Sequence, residues 1–298
     1  MSKKDFAEAV RSRVEDRLGD GYEVSVQNVT KNNGTEWTAV LVKRNGESVA
    51  PTVYIDDYYH ATDEDVEDYI DSAADYVVSV YGGGSNVPDI DTGFIHDYAK
   101  VRERICFRLI NAEKNTQRLE SLPYRMFQDL AVVFFIPVDI KGDEPVSASA
   151  AVTIQMMEHW GVDTDELFRA ALENTPALFP VSSKVLGDML GEMTGVVPEM
   201  PTGGPQIHVV TNGKCVNGAA VALYPGFLKA MGERIGSDYY ILPSSIHELL
   251  LLPDDGGTDA QTLRGMVMDV NATTVSAEEF LSDNVYRYSR EKDSVSIV

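Results

Sequence analysis

Cysteine is almost missing from this chain. Only Cys106 and Cys215 occur among its 298 residues, and no C-x-x-C pair is present. That excludes a disulfide framework, a zinc knuckle and a dithiol redox motif, and it fits a reducing cytoplasm. Long apolar runs are missing too. The longest clean one, LAVVFFIPV at 130–138, has nine residues, less than half of the roughly 20 that a membrane-spanning helix needs. The opening stretch MSKKDFAEAVRSRVEDRL is charged throughout and has no apolar centre of the kind a secretory signal carries. A cytoplasmic protein with no membrane segment is expected.

Positive charge is the third shortage. Lys and Arg number 25 against 47 Asp and Glu, a formal net charge of −22. Such a chain repels nucleic-acid phosphates, so direct nucleic-acid binding is not expected. The imbalance peaks between residues 45 and 99, which hold 13 acidic residues and no Lys or Arg. The five histidines, His60, His96, His159, His208 and His247, stand singly, so no local metal motif forms, and neither metal nor cofactor is expected. P-loop, nucleophile-elbow, kinase and EF-hand spacings are absent from the sequence as well.

What is present reads as α+β. Phe6 to Leu18 has an amphipathic helical period, and YEVSVQNVT (22–30) with WTAVLVKR (37–44) forms a hairpin pattern around KNNGTE. TVYID (52–56) adds a strand, and residues 62–81 a second helix with Thr62 as its N-cap. This α-β-β-β-α order predicts a small acidic domain over residues 1–84, a linker over 85–92 within the Gly-rich stretch GGGSNVPDIDTG (82–93), and a larger α+β domain over 93–298 with a mainly antiparallel sheet.

In the larger part, FIHDYAKVRER predicts a helix leading into a strand at 105–110. DLAVVFFIPVDI (129–140) and VSASAAVTI (146–154) predict a hairpin, the first strand covered on both faces. Asp163 with Glu166 predicts a capped helix, and IHVVTNGKCVNGAAVALY a further β-loop-β unit. PGFLKAMGERIG reads as a helix, DYYILP and HELLLLP as strands, Thr258 with Gln261 and Ser276 with Glu279 as helix caps, and NVYRYSR as a closing strand.

Three groups of residues invite chemistry. His247-Glu248 begins like a zinc-protease helix, but Leu249, Leu250 and Leu251 follow where a second histidine is required. His247 remains a candidate general base, with Glu248 orienting it or acting as acid and Ser245 as nucleophile; the plainer alternative is a polar strand start. Cys106 would share a strand face with Arg104 and Arg108, whose charges favour a thiolate, or it is a buried structural thiol. Glu64, Asp68, Asp71 and Asp75 form a carboxylate stripe on the second helix, either a docking face for a basic partner or a solvated surface.

The strings RLINAEKNTQRLESLPYRMFQDLAVVFFIPV, WGVDTDELFRAALENTPALFPV, NGAAVALYPGFL, LPSSIHELLLLPDDG and VNATTVSAEEFLSDNVYRY, together with PTVYIDDYY, cover most of the chain. This set resembles the domain-of-unknown-function 5688 family of gut Firmicutes and is distantly similar to the domain-of-unknown-function 1444 family. The resemblance implies an accessory or regulatory role, since members are met among genes of conjugative and phage-like elements. A shared site would fall where polar residues interrupt core-like strings: Asn111, Asn115, Asp129, Asn174 and the Ser245-His247-Glu248 group. The asparagines are equally readable as caps and turn formers.

The leading expectation is a non-enzymatic binding protein that docks a basic protein partner through its acidic surface or an interdomain groove. A small-molecule hydrolase or transferase built on His247 and Glu248 is one alternative. An acidic mimic of nucleic acid is the other.

Overall fold

The computed structural model describes residues 1–44, 52–60, 65–82, 93–137, 149–194 and 206–298. The chain divides into two compact units, Met1–Ile90 and Asp91–Val298. Thr62, Glu64 and the expected linker at 85–92 lie outside the described residues.

The first unit is a two-layer α+β structure. Helix α1 (Lys3–Leu18) starts where the Ser2 side chain accepts from Asp5 N, and it ends at Gly19, whose φ of 73° suits a residue without Cβ. Strands β1 (Tyr22–Thr30) and β2 (Glu36–Arg44) pair antiparallel with Val24 opposite Val42 and Val26 opposite Val40, and β3 (Thr52–Tyr54) adds to the far side of β2. Helix α2 (Val66–Gly82) follows. Phe6, Val10 and Val14 of α1 meet Ile70, Ala73 and Val77 of α2 over Val24, Val40 and Val53 of the sheet. The periods of 3.6 and 2 in the sequence thus share one core.

The second unit opens with one helical turn, α3 (Tyr98–Val101), flanked by 3-10 turns, where a continuous helix was expected; Asp97 caps it by accepting from Ala99 N. Strand β4 (Cys106–Asn111) leads to α4 (Thr116–Leu119), β5 (Tyr124–Phe127), β6 (Leu130–Pro137) and β7 (Ser149–Ala151). β4 lies along one edge of β6, while β5 and β7 share the other edge end to end, all antiparallel. β6 is buried on both faces: Leu130, Val132, Phe134 and Ile136 enter the main core, and Ala131 and Val133 a second one. The string VTI, read as strand, instead turns into α5 (Ile154–Trp160), because the Thr153 side chain accepts from Met156 N and starts a helix there.

Helix α6 (Thr164–Leu178) is capped by Asp163, which accepts from Glu166 N at 2.8 Å. Strand β8 (Val181–Val185), helix α7 (Leu186–Thr194) and strand β9 (His208–Asn212) come next. The strand expected after β9 is a 3-10 helix, Gly218–Leu223. Its small residues Ala219, Ala220 and Ala222 are buried in the main core, where larger side chains would not let the backbone in. Helix α8 (Phe227–Ile235), strands β10 (Tyr239–Ser245) and β11 (Glu248–Pro253), helix α9 (Ala260–Thr273) and strands β12 (Tyr286–Ser289) and β13 (Ser294–Ile297) complete the unit. The true cap of α9 is Asp259, accepting from Thr262 N, one residue beyond the expected Thr258. Ser276 accepts from Glu279 N but only a turn follows.

The six strands order as β13-β12-β10-β11-β9-β8, again antiparallel throughout. Main-core residues come from this sheet (Tyr239, Ile241, Leu249, Leu251), from β4 and β6, and from Leu167 and Ala171 of α6. The fold class is therefore α+β with antiparallel sheets, as the sequence predicts.

Candidate functional site

The β10–β11 connection carries Ser245, His247 and Glu248. Ser245 Oγ accepts from the backbone N–H of His247 at 3.0 Å, which closes a short turn. The imidazole Nδ1 accepts from Asn217 N at 3.1 Å, so the ring proton belongs on Nε2, which faces Glu279 Oε1 at 3.6 Å. Glu248 instead accepts from Ser244 Oγ at 3.3 Å. The serine oxygen and the Nδ1 lone pair are both spent on backbone N–H groups, and Glu248 holds a different side chain. The three residues are neighbours in space without forming a Ser-His-carboxylate relay.

The same turn is a structural junction. Thr211 Oγ1 donates to His247 O at 2.7 Å, Ile246 N to Glu279 O at 2.8 Å, and Ala219 N to Ile246 O at 3.1 Å. Gly218 makes this close approach feasible, since a Cβ there would sit 2.1 Å from Thr211 Oγ1 and 2.2 Å from His247 O.

Asn111, Asn115 and Asp129 converge. Asn111 Nδ2 donates to Leu281 O at 2.9 Å, and Asn115 Nδ2 to Asn111 O at 2.8 Å. Asp129 Oδ1 accepts from the Tyr286 hydroxyl at 2.6 Å, and Oδ2 accepts from Ser282 Oγ at 2.6 Å and Asn284 Nδ2 at 3.0 Å. These groups pin the segment before β12 onto the ends of β4 and β6. Burial and the nearby carboxylate push the Tyr286 hydroxyl far above its ordinary pKa, so it stays a donor. Asn174 lies apart, donating to Arg102 O and Ile105 O at 2.7 and 3.0 Å as a brace for the chain entering β4.

Of the two readings of Cys106, the buried structural thiol is the one the structure shows. Cys106 is buried in an apolar cluster with Phe135 and Phe179, and desolvation pushes its thiol up to about 12, against a smaller opposing effect of Thr175. Arg104 precedes β4 in a 3-10 turn and lies over the Phe94 ring at 4.8 Å, so it does not share the strand face with the thiol.

In the first unit, the carboxylates of α2 meet arginines of α1. Asp71 pairs with both Arg13 and Arg17, Glu67 with Arg13 at 3.1 Å, and Asp75 with Arg17 at 2.8 Å. Asp68 is exposed. The stripe therefore works in large part as a clasp between two helices, and the matching signal, arginines four apart on α1 against acids four apart on α2, is visible in the sequence.

A second feature of that unit is a groove of about 610 Å³ whose walls include Trp37, Tyr54, Asp57, Tyr58, Tyr76 and Val80. Trp37 and Tyr54 meet edge to face at 5.3 Å, Tyr58 and Tyr76 are tilted by 31° at 5.7 Å, and Tyr76 and Val80 are 46% and 40% exposed. Strand β3 forms one wall and, among the described residues, is the last strand of its sheet, paired on one side with β2. The Lys31 ammonium already sits 3.8 Å above the Tyr54 ring centre. Nothing in local spacing marks this groove, because its rings come from four separate segments, β2, β3, the 3-10 turn Asp56–Tyr58 and α2; the tyrosine density of TVYIDDYY is the one sequence signal.

Among the described residues, no group of three or more His, Cys, Asp or Glu is arranged to hold a metal ion, and no helix is long and apolar enough to cross a membrane. No curated protein and no solved structure matches the chain. A family model does match, over residues 3–290, covering both units, and by this match the chain belongs to the family of unknown function DUF5688.

Proposed function

We propose that the protein is a non-enzymatic, cytoplasmic binding protein whose first unit takes a basic, extended segment of a protein partner. The observation that carries this reading is the aromatic groove beside the last strand of the sheet. An extended peptide adds to an exposed strand edge through main-chain hydrogen bonds, and ring faces receive alternate side chains. Trp and Tyr faces attract Lys and Arg through their negative quadrupoles, and the Lys31 ammonium over Tyr54 is an internal example of that contact. Asp57 in the wall, exposed Asp68 and the chain's net charge of −22 favour a cationic occupant and oppose an acidic one.

The test is a titration of Lys/Arg-rich and Glu-rich peptides of equal length into the full chain carrying Trp160→Phe, with Trp37 fluorescence as the signal. Saturable binding of the basic peptide alone is expected, falling steeply with salt and lost in Tyr54→Ala/Tyr76→Ala. Equal binding of both peptides, or binding that survives the double substitution, overturns the reading. His247→Ala/Glu248→Gln is expected to leave binding unchanged.

A further inference from the structure

The second unit holds an unusual pair of cations. In the antiparallel ladder Arg108 of β4 stands opposite Val133 of β6, which stands opposite Tyr124 of β5. Directly opposed residues share a sheet face, so these three form one row across it. The next row on the same face contains Ile110 and Ala131, over which Leu119 and Leu122 pack. Arg118 immediately precedes Leu119 on α4 and is itself half-buried.

Arg108 Nε is fully enclosed and has no hydrogen-bond partner; its guanidinium lies 5.5 Å from the Phe135 ring centre. Burial lowers the pKa of both arginines, Arg108 to about 10, and the charge of Arg118 adds to the shift at Arg108. Both groups remain protonated at neutral pH, so two like charges lie near enough to repel each other in a poorly solvated place. Neither meets a carboxylate among the described residues. Arginines elsewhere are treated differently: Arg13, Arg17, Arg102 and Arg287 all reach Asp or Glu. A buried charge without a partner is costly, and an enclosed donor left open is uncommon enough to ask what fills it.

We propose that this face is a binding site for a small phosphate-class oxyanion, held between Arg108 and Arg118 with the Tyr124 hydroxyl at its rim. The guanidinium fork matches the oxygen spacing of phosphate, and two adjacent forks favour a dianion over a monoanion. A phosphomonoester carries about −1.5 to −2 charges at pH 7. Tyr124 is 42% exposed, which leaves the rim open to solvent.

The experiment is calorimetric titration of inorganic phosphate into the full chain at low ionic strength, paired with melting curves of the wild type, Arg108→Met and Arg118→Gln. Wild type binds phosphate saturably, and acetate binds far more weakly. Arg118→Gln weakens binding roughly tenfold to a hundredfold, as loss of a charge-assisted hydrogen bond does. Arg108→Met abolishes it while melting, without phosphate, at or above the wild-type temperature, because an uncompensated buried charge has gone. Phenyl phosphate binding more tightly than phosphate assigns the phosphoryl group of an organic ester, and the reverse order assigns the free ion. No saturable binding to wild type, unchanged affinity in Arg108→Met, or a lowered melting temperature of that variant in the absence of phosphate overturns the proposal.

Discussion

Replacing Asp129 by alanine tests how the second unit is closed. Asp129 accepts three hydrogen bonds, from Tyr286, Ser282 and Asn284, each from a residue more than 150 positions away in the chain. Tyr286 and Ser282 are 3% and 1% exposed, so both hydroxyls are stranded when the carboxylate goes, whereas half-buried Asn284 can turn toward water. A buried donor left without a partner costs about 1–3 kcal/mol. Two such donors set the expected loss for Asp129→Ala at about 3–5 kcal/mol. Asp129→Asn keeps the shape and one acceptor oxygen, and hydroxyl rotors can accept from its new amide, so a loss of about 1–2 kcal/mol is expected.

The assay is urea unfolding of a Trp37→Phe background, in which Trp160 alone reports the second unit. Tyr286→Phe removes one donor and leaves the carboxylate two others, an expected loss of about 1.5 kcal/mol. In the double variant Asp129→Ala/Tyr286→Phe no hydroxyl of residue 286 remains to be stranded. Its loss should fall short of the sum of the singles by about 1.5–3 kcal/mol. Additivity within about 0.5 kcal/mol, the behaviour of uncoupled sites, would refute the network as the closing contact. So would an Asp129→Ala loss below about 1 kcal/mol.

Other perturbations have equally definite outcomes. A thiol reagent on the folded chain should titrate exposed Cys215 and reach buried Cys106 only after unfolding; reaction of both in the native state would contradict the burial of the second. Gly218→Ala places a methyl against Thr211 and the His247 carbonyl, and by the scale of overpacked sites it should lose about 3 kcal/mol or more in urea unfolding. Arg13→Gln/Arg17→Gln releases the clasp on α2; a small drop in melting temperature is expected at low salt and should vanish near about 1 M salt, where exposed ion pairs are screened.

The parts of this structure that were legible are those in which a local pattern and its burial coincide. β6 was readable because a nearly unbroken apolar string is what a strand covered on both faces demands. α6 was readable because Asp163 and Glu166 announce a cap. β5 and β8 are hard to read because YRMF and VSSKV are short and mixed in period, and their conformation is decided by the strand each one pairs with; LGDMLGEMT has helical spacing at Leu186, Met189, Leu190 and Met193, but Gly187 and Gly191 weaken the helix signal of α7. The 3-10 helix at 218–223 looks like a strand in sequence and is diverted by close packing around Gly218. Site residues divide the same way. Asn111, Asn115 and Asp129 stood out as polar interruptions, yet their partners Leu281, Ser282 and Tyr286 were invisible from spacing, since contacts of that separation leave no local trace. The groove of Trp37, Tyr54 and Tyr76 was hidden for the same reason.

Two partly buried ionic groups in the second unit show how differently this chain treats charge. Asp129 is half-buried and fully answered by three neutral donors. Arg108 has an enclosed, unanswered Nε and a second arginine nearby that repels it. A shortage of acids does not explain the contrast, because Asp and Glu outnumber Lys and Arg 47 to 25. Nor does a fold incapable of placing partners, since half-buried Arg287 reaches two carboxylates at 2.8 and 3.0 Å. If packing alone governed residue 108, an apolar side chain on this face would be the more stable choice, for a buried charge replaced by a well-packed apolar group is often stabilising. A group that lowers stability and is kept charged is best understood as one held ready for a ligand, the usual exchange between stability and function at a binding site. Arg108→Met separates the two accounts in one variant, because only a ligand site loses phosphate binding while gaining stability without phosphate.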